Sequence, residues 1–159
     1  MSAPTPSERL AALGLVLPAV PAPVAAYVPA VRTGDLVHTS GQLPSTGGVL
    51  PLTGKVGQGD GLVDPITAAD LARTCALNAL AAAAEAAGGL DEVEAVVKVV
   101  VFVASDPAFT GQPAVANGAS ELLGQVFGDA GRHARSAVGV AVLPLDSPVE
   151  VEVTVRVRS

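Results

Sequence analysis

The feature that most constrains this chain is its last strand-like segment. Valine occupies every odd position from Val149 to Val157, while Glu150, Glu152, Thr154, Arg156 and Arg158 occupy the even ones. Side chains on a β-strand alternate between faces, so a period of two commits one face to an apolar core and the other to polar surroundings. A helix cannot satisfy this pattern, because 3.6 residues per turn would scatter the valines around its axis. The chain must therefore build a sheet with one buried face, and it needs a second layer to cover that face.

The covering layer is written upstream. Asp64 and Pro65 are a helix N-cap followed by proline at the first helical position, and Gly88-Gly89 is a stop, so a long helix is predicted to end near Ala87. Its leucines, Leu71, Leu77 and Leu80, and its many alanines suit close packing on a sheet. Residues 113–127 read as a second helix. Thr5-Pro6-Ser7-Glu8 is a capping box that opens a short helix to Leu13, with Gly14 as its end. Strands are predicted over residues 27–31 and 35–40, with Thr33-Gly34 as the turn between them, and over 96–104, 134–143 and 149–157. The run 96–104 is apolar on both faces and reads as a central strand. The order is ββ-α-β-α-ββ, an α+β sheet with two main helices packed on one face. Nothing is left to cover the other face, so association of subunits is expected.

Residues 10–31 carry no charge over 22 positions, long enough to span a bilayer, but Pro18, Pro21, Pro23 and Pro29 would break a spanning helix. The segment reads as an extended arm lying on protein. Residues 1–24 are thus a short helix and proline-rich arm, and residues 25–159 a single domain. Glu8 stands where a secretory signal would be positive, so a soluble cytoplasmic protein without a membrane partner is expected. With 50% hydrophobic and only 15% charged residues, the chain is not a disordered one, and a net charge of −6 argues against a nucleic-acid partner.

Chemistry-bearing residues are few. On the strand 134–143, Ser136, Val138, Val140 and Val142 share one face, while Arg135 heads a row of small residues, Ala137, Gly139 and Ala141, on the other. Small side chains leave space for another subunit or a ligand, and a guanidinium offers two parallel donors matched to a carboxylate. Arg135, with Arg132 and His133 beside it, could clamp a small organic anion; a structural ion pair with Glu150 or Asp129 is the alternative. His133 and Ser136 do not make a nucleophile pair, since they would face apart. His38 reads as structural and Cys75 as core. Gly57-Gln58-Gly59-Asp60-Gly61 lacks the strand-before, helix-after setting of a nucleotide loop. No ligand-spaced cluster or phosphate loop occurs, so metal and ATP chemistry have no support.

The segment His133-Ala-Arg-Ser-Ala-Val-Gly-Val-Ala-Val-Leu-Pro144, with Val149-Glu-Val-Glu-Val153 after it, resembles the closing signature of the Rid (YjgF-type) proteins, the reactive intermediate deaminases. Tyr27-Val-Pro-Ala-Val-Arg-Thr-Gly-Asp-Leu-Val-His-Thr-Ser-Gly-Gln-Leu-Pro44 resembles their opening signature, and Val115-Ala-Asn117 matches in place. The resemblance implies a chorismate-mutase-like α+β fold assembled as a homotrimer, with sites in the clefts between subunits. It implies hydrolysis of 2-imino or enamine acids, such as 2-aminoacrylate and 2-iminopropionate, to 2-keto acids and ammonia without a cofactor. Arg135 would bind the substrate carboxylate and Glu150 would position the hydrolytic water; Tyr27, Ser40, Gly41 and Asn117 would line the site. The family often has cysteine where this chain has Ala137, which argues against thiol chemistry, and the proline arm and residues 128–132 place the chain in a longer branch. The family also contains non-catalytic members that would bind a small ligand in the same cleft, and members with ribonuclease activity. The acidic charge, four aromatic residues and lack of paired histidines count against the last.

Overall fold

The Thr5 hydroxyl accepts from the Glu8 amide and the Glu8 carboxylate accepts from the Thr5 amide, so the capping box opens helix α1 (Pro6–Ala12) as its sequence dictates. This structure, a computed structural model, describes residues 2–22 and 25–159. Arm residues Pro23 and Val24 lie outside the described residues. Leu10 buries the inner side of α1, and Leu15 and Leu17 of the arm pack on the same core. No helix among the described residues is long and apolar enough to cross a membrane.

The hairpin β1 (Ala30–Thr33) and β2 (Leu36–Thr39) turns at Gly34, whose φ of 62° suits glycine. Regular pairing starts later than the expected residue 27, beyond Pro29. Before it the chain is held by Ser40, whose amide and hydroxyl donate to the Pro29 and Val28 carbonyls. The long helix α2 (Pro65–Ala87) begins where Asp64 accepts from the Ile66 and Thr67 amides and ends at Gly88 with φ 89°. Strand β3 (Val93–Ala104) starts earlier than expected because register shifts beside Ala95 and Lys98 break its alternation. Helix α3 (Gln112–Phe127) carries the chain across to β4 (Ala134–Val140), and β5 (Val149–Val157) closes the sheet. The first residues of the link between them already leave the ladder, so β4 is shorter than its apolar run.

The strand order is β1-β2-β5-β3-β4, with β3 and β4 parallel and the other pairs antiparallel. The register fixes the two faces. Val99, Val101 and Val103 of β3 stand opposite Val153, Val151 and Val149 of β5, and all six are buried under the helices. Each valine so buried stabilises the fold by roughly 1.5–3 kcal/mol. The alanines of α2 admit a close crossing, where Gly118 of α3 rests on the Ala69 carbonyl. On the other face stand Lys98, Val100, Phe102, Glu150, Glu152, Thr154 and His38, with Val138 beside Phe102 exposed. β4 is an edge strand with one side of its ladder open.

At Gly139, one position of the row of small residues on β4, the nearest neighbours come from the same chain. Arg135, Ala137 and Gly139 stand opposite Val99, Val101 and Val103, and so lie on the helix-covered face. A Cβ on Gly139 would meet the Gln112 amide nitrogen at 2.8 Å and the Ser105 hydroxyl at 3.1 Å. The space beside Gly139 is therefore filled from within the same chain.

Candidate active site

Arg135 reaches from β4 to α3. Its Nη1 donates to the Asn117 side-chain oxygen at 2.8 Å and to the Ser120 hydroxyl at 3.1 Å. Asn117 and Ser120 are three residues apart, so the helix presents both on one side. Ser120 in turn lies 2.9 Å from His133 Nε2, and His133 Nδ1 lies 2.6 Å from the Gly131 carbonyl. The ion pairs among the described residues are Arg132 with Asp129 and Arg156 with Glu94. The expected alternative, a pair between Arg135 and Glu150 or Asp129, is therefore not formed: Asp129 turns to Arg132 at the surface, and Glu150 is on the opposite face of the sheet. Arg135 is left half-buried with neutral partners on one nitrogen.

Glu150 belongs to a second cluster. It stands opposite Phe102 on the uncovered face, half-buried, against the α-carbon of Gly41. Burial pushes its carboxyl above the ordinary range, and the neighbouring Glu152 carboxylate adds to the rise. Ser40 precedes Gly41 and ties down the Val28 carbonyl at 2.7 Å, fixing the backbone beside Tyr27, whose side chain is exposed. Gln42 pairs with the Val151 backbone in both directions, which docks this corner onto β5.

The six residues singled out in the sequence thus fall into two separate groups. Ser40, Gly41 and Glu150 gather around the start of β5, with Tyr27 next to the Val28 carbonyl that Ser40 holds, and Arg135 and Asn117 gather at the β4 edge. Arg135 is level with Val99 and Val153, so Glu150 lies two strands across and three residues along. At strand spacings of ~4.8 Å and rises of ~3.3 Å, their backbones are about 14 Å apart, with side chains on opposite faces. One chain does not bring the two groups together.

Ser120 and His133 join the arginine cluster without having been singled out as a pair; the spacing from Asn117 to Ser120 was the available signal. Ser136 is on the other face and accepts from Lys98 Nζ at 3.0 Å, away from His133. His38 pairs with the Thr154 hydroxyl at 3.0 Å. Cys75 is fully buried under β5, and its thiol is pushed well up by burial and by the Glu150 charge. No group of three His, Cys, Asp or Glu among the described residues is placed to hold a metal ion.

Residues 7–156 match the family described as "YjgF/chorismate mutase-like, putative endoribonuclease". The Trypanosoma cruzi protein TCP17 is 46% identical over 154 residues, covering 96% of this chain and 94% of the relative. The crystal structure of the protein Atu1372 from Agrobacterium tumefaciens, of unknown function, superposes with a TM-score of 0.87 at 42% identity, covering 98% of this chain and 94% of that one. E. coli TdcF, crystallised with bound serine, superposes at 0.55 with 32% identity, covering 88% and 94%.

Proposed function

The chain belongs to the YjgF/chorismate mutase-like family, and from that premise we propose that it hydrolyses reactive 2-imino and enamine acids, of the 2-aminoacrylate and 2-iminopropionate kind, to 2-keto acids and ammonia. The observation that carries this reading is the state of Arg135: a half-buried guanidinium with neutral partners on Nη1 and no acid among the described residues paired to it. Its Nε and Nη2 form the edge that matches a carboxylate with two parallel bonds. A relative crystallised with serine supports a ligand of this size carrying a carboxylate and an adjacent nitrogen.

The chemistry asked of the protein is modest. A protonated imine carbon is already electrophilic, so holding the carboxylate and orienting one water removes most of the entropic cost. Glu150 accepts a proton from that water as its oxygen bonds to the imine carbon, and the resulting carbinolamine carries the amino group. Glu150 then gives that proton to the nitrogen and takes the proton of the carbinol hydroxyl, so that the C–N bond breaks, ammonia leaves and the C=O bond forms. A carboxyl held above the ordinary range is a stronger base than an ordinary glutamate and so better suited to taking the proton and giving it back.

Because Arg135 and Glu150 face apart within one chain, the working cleft joins Arg135 and Asn117 of one subunit to Glu150, Gly41, Ser40 and Tyr27 of the next. Subunits around a threefold axis would turn their uncovered sheet faces inward and place the open β4 edges at the junctions, which makes a homotrimer the assembly we favour. The same acidity and scarcity of aromatics that disfavour RNA leave the imine reading ahead of an endoribonuclease.

The test generates imino acids in situ with an amino-acid oxidase or a dehydratase and follows keto-acid release. The protein is expected to accelerate release over spontaneous hydrolysis, and Arg135→Ala and Arg135→Lys to abolish the acceleration while light scattering still reports the trimer. Release at the spontaneous rate across several side chains would leave a non-catalytic ligand-binding role. Wild-type rates in both variants would remove Arg135 from the mechanism.

A further inference from the structure

The arginine cluster extends inward beyond the groups that the proposed reaction uses. Nη1 of Arg135 meets two acceptors, the Asn117 oxygen at 2.8 Å and the Ser120 hydroxyl at 3.1 Å. Behind Ser120 stands His133, with Nε2 at 2.9 Å, and behind His133 stands the Gly131 carbonyl, 2.6 Å from Nδ1. The direction of each bond follows from the end of the chain. A carbonyl only accepts, so His133 Nδ1 carries the hydrogen. In the neutral ring Nε2 is then a bare acceptor, and the Ser120 hydroxyl must donate to it. With its hydrogen committed inward, Ser120 presents lone pairs to Arg135. The Gly131 carbonyl is itself held in place, because the short 3₁₀ turn over Gly128–Gly131 packs Gly131 directly on the Leu123 backbone at the end of α3.

We infer that His133 and Ser120 are positioning residues that set the orientation of the Arg135 guanidinium, through the series Gly131 carbonyl, His133 ring, Ser120 hydroxyl and Nη1. With Nη1 anchored by two acceptors the plane of the guanidinium is fixed, and the Nε–Nη2 edge is presented to an incoming carboxylate without a search for its rotamer. Side-chain ordering that would otherwise accompany binding has already taken place in the free protein. Neither residue touches the ligand; both act through Arg135. This inference rests on the reading of Arg135 as a carboxylate clamp, and it adds the groups that give the clamp its geometry.

The experiment uses pyruvate, a stable 2-keto acid, as the probe and the full chain as the protein. Calorimetry gives its dissociation constant for the wild type and for Ser120→Ala, Ser120→Thr, His133→Ala and Arg135→Ala, with thermal midpoints recorded for each. Ser120→Ala and His133→Ala are expected to weaken pyruvate about tenfold, the usual scale for one hydrogen bond to a charged group. Ser120→Thr, which keeps the hydroxyl, is expected to restore near wild-type affinity, a rescue that loss of packing alone would not give. In turnover assays the loss is expected in KM rather than kcat. Nitrogen-15 spectra of the histidine ring are expected to show Nδ1 protonated and Nε2 bare. An Nε2–H tautomer, or wild-type affinity in both Ser120→Ala and His133→Ala, would overturn the inference. Wild-type protein that binds pyruvate through Arg135 and still hydrolyses no imine would instead overturn the proposed reaction and leave this inference standing. No pyruvate binding by the wild type would overturn the clamp and the inference together.

Discussion

Glu150 packs its carboxylate against the α-carbon of Gly41, so closely that a Cβ at position 41 would overlap it. The glycine is required here by space: its φ is not among the positive values that favour glycine elsewhere in the chain. The atom in the way is the far end of a flexible side chain, while the backbone around Gly41 is held by Ser40 and Gln42. A methyl group would therefore move the carboxylate and spare the fold.

Gly41→Ala is accordingly expected to leave the thermal midpoint within a few degrees of wild type, while imine hydrolysis falls by at least about tenfold, since a displacement near 1 Å in a water-orienting group is costly. Steady-state rates and a melting curve on the same preparation check this. A variant that melts early in proportion to its lost activity would mean that Gly41 serves the fold and not the position of Glu150.

Gly118 supplies the opposite case. A Cβ there would run into the Ala69 carbonyl where α2 and α3 cross, and neither backbone can yield. Gly118→Ala is expected to destabilise the protein by about 1–3 kcal/mol, the scale of overpacking in a close-packed interior. Urea midpoints measure it. Unchanged stability would mean that the two helices can slide apart freely.

Much of the framework could be read before any coordinates. Asp64-Pro65 and Gly88 bracket α2 in sequence as in structure, and the valine alternation of 149–157 is β5 residue for residue. Those signals are local: a cap, a stop and a period. Where β3 begins was hidden, because its bulges interrupt the alternation. The relation between Arg135 and Glu150 was hidden for a deeper reason. Each strand's own pattern says which residues share a face, but which face of one strand continues which face of another depends on register across β3, a long-range property. The occupant of the space beside Gly139 was equally out of reach, since Gln112 arrives from another element.

Cys75 is predicted to be inert in the native protein. It lies fully buried on α2, with its sulfur 3.7 Å from the Val149 carbonyl, and burial and the Glu150 charge both hold the thiol in its protonated form. The thiolate is the reactive species, so a disulfide reagent at neutral pH is expected to label almost nothing until denaturant is added, and then one equivalent per chain. Rapid labelling of folded protein would show that α2 opens easily above β5.

The carboxyl of Glu150 gives stability a pH dependence of known sign. Its folded pKa is raised, first by burial and then by Glu152, so the native state binds this proton more tightly than the unfolded chain does. The stabilisation is therefore fully present below the ordinary glutamate range and is lost as pH rises through the folded value. Glu150→Gln stays neutral and escapes that loss. Relative to wild type, the variant is expected to gain stability between pH 4 and pH 7, read as urea midpoints at the two pH values, while losing hydrolytic activity at both. Glu152→Gln removes the second cause alone, so it should lower the acid limb of the wild-type pH–rate profile without abolishing turnover. If the midpoint difference between Glu150→Gln and wild type stays constant across that range, the carboxyl is not raised in the folded protein, and its part in proton transfer would have to be given to another group.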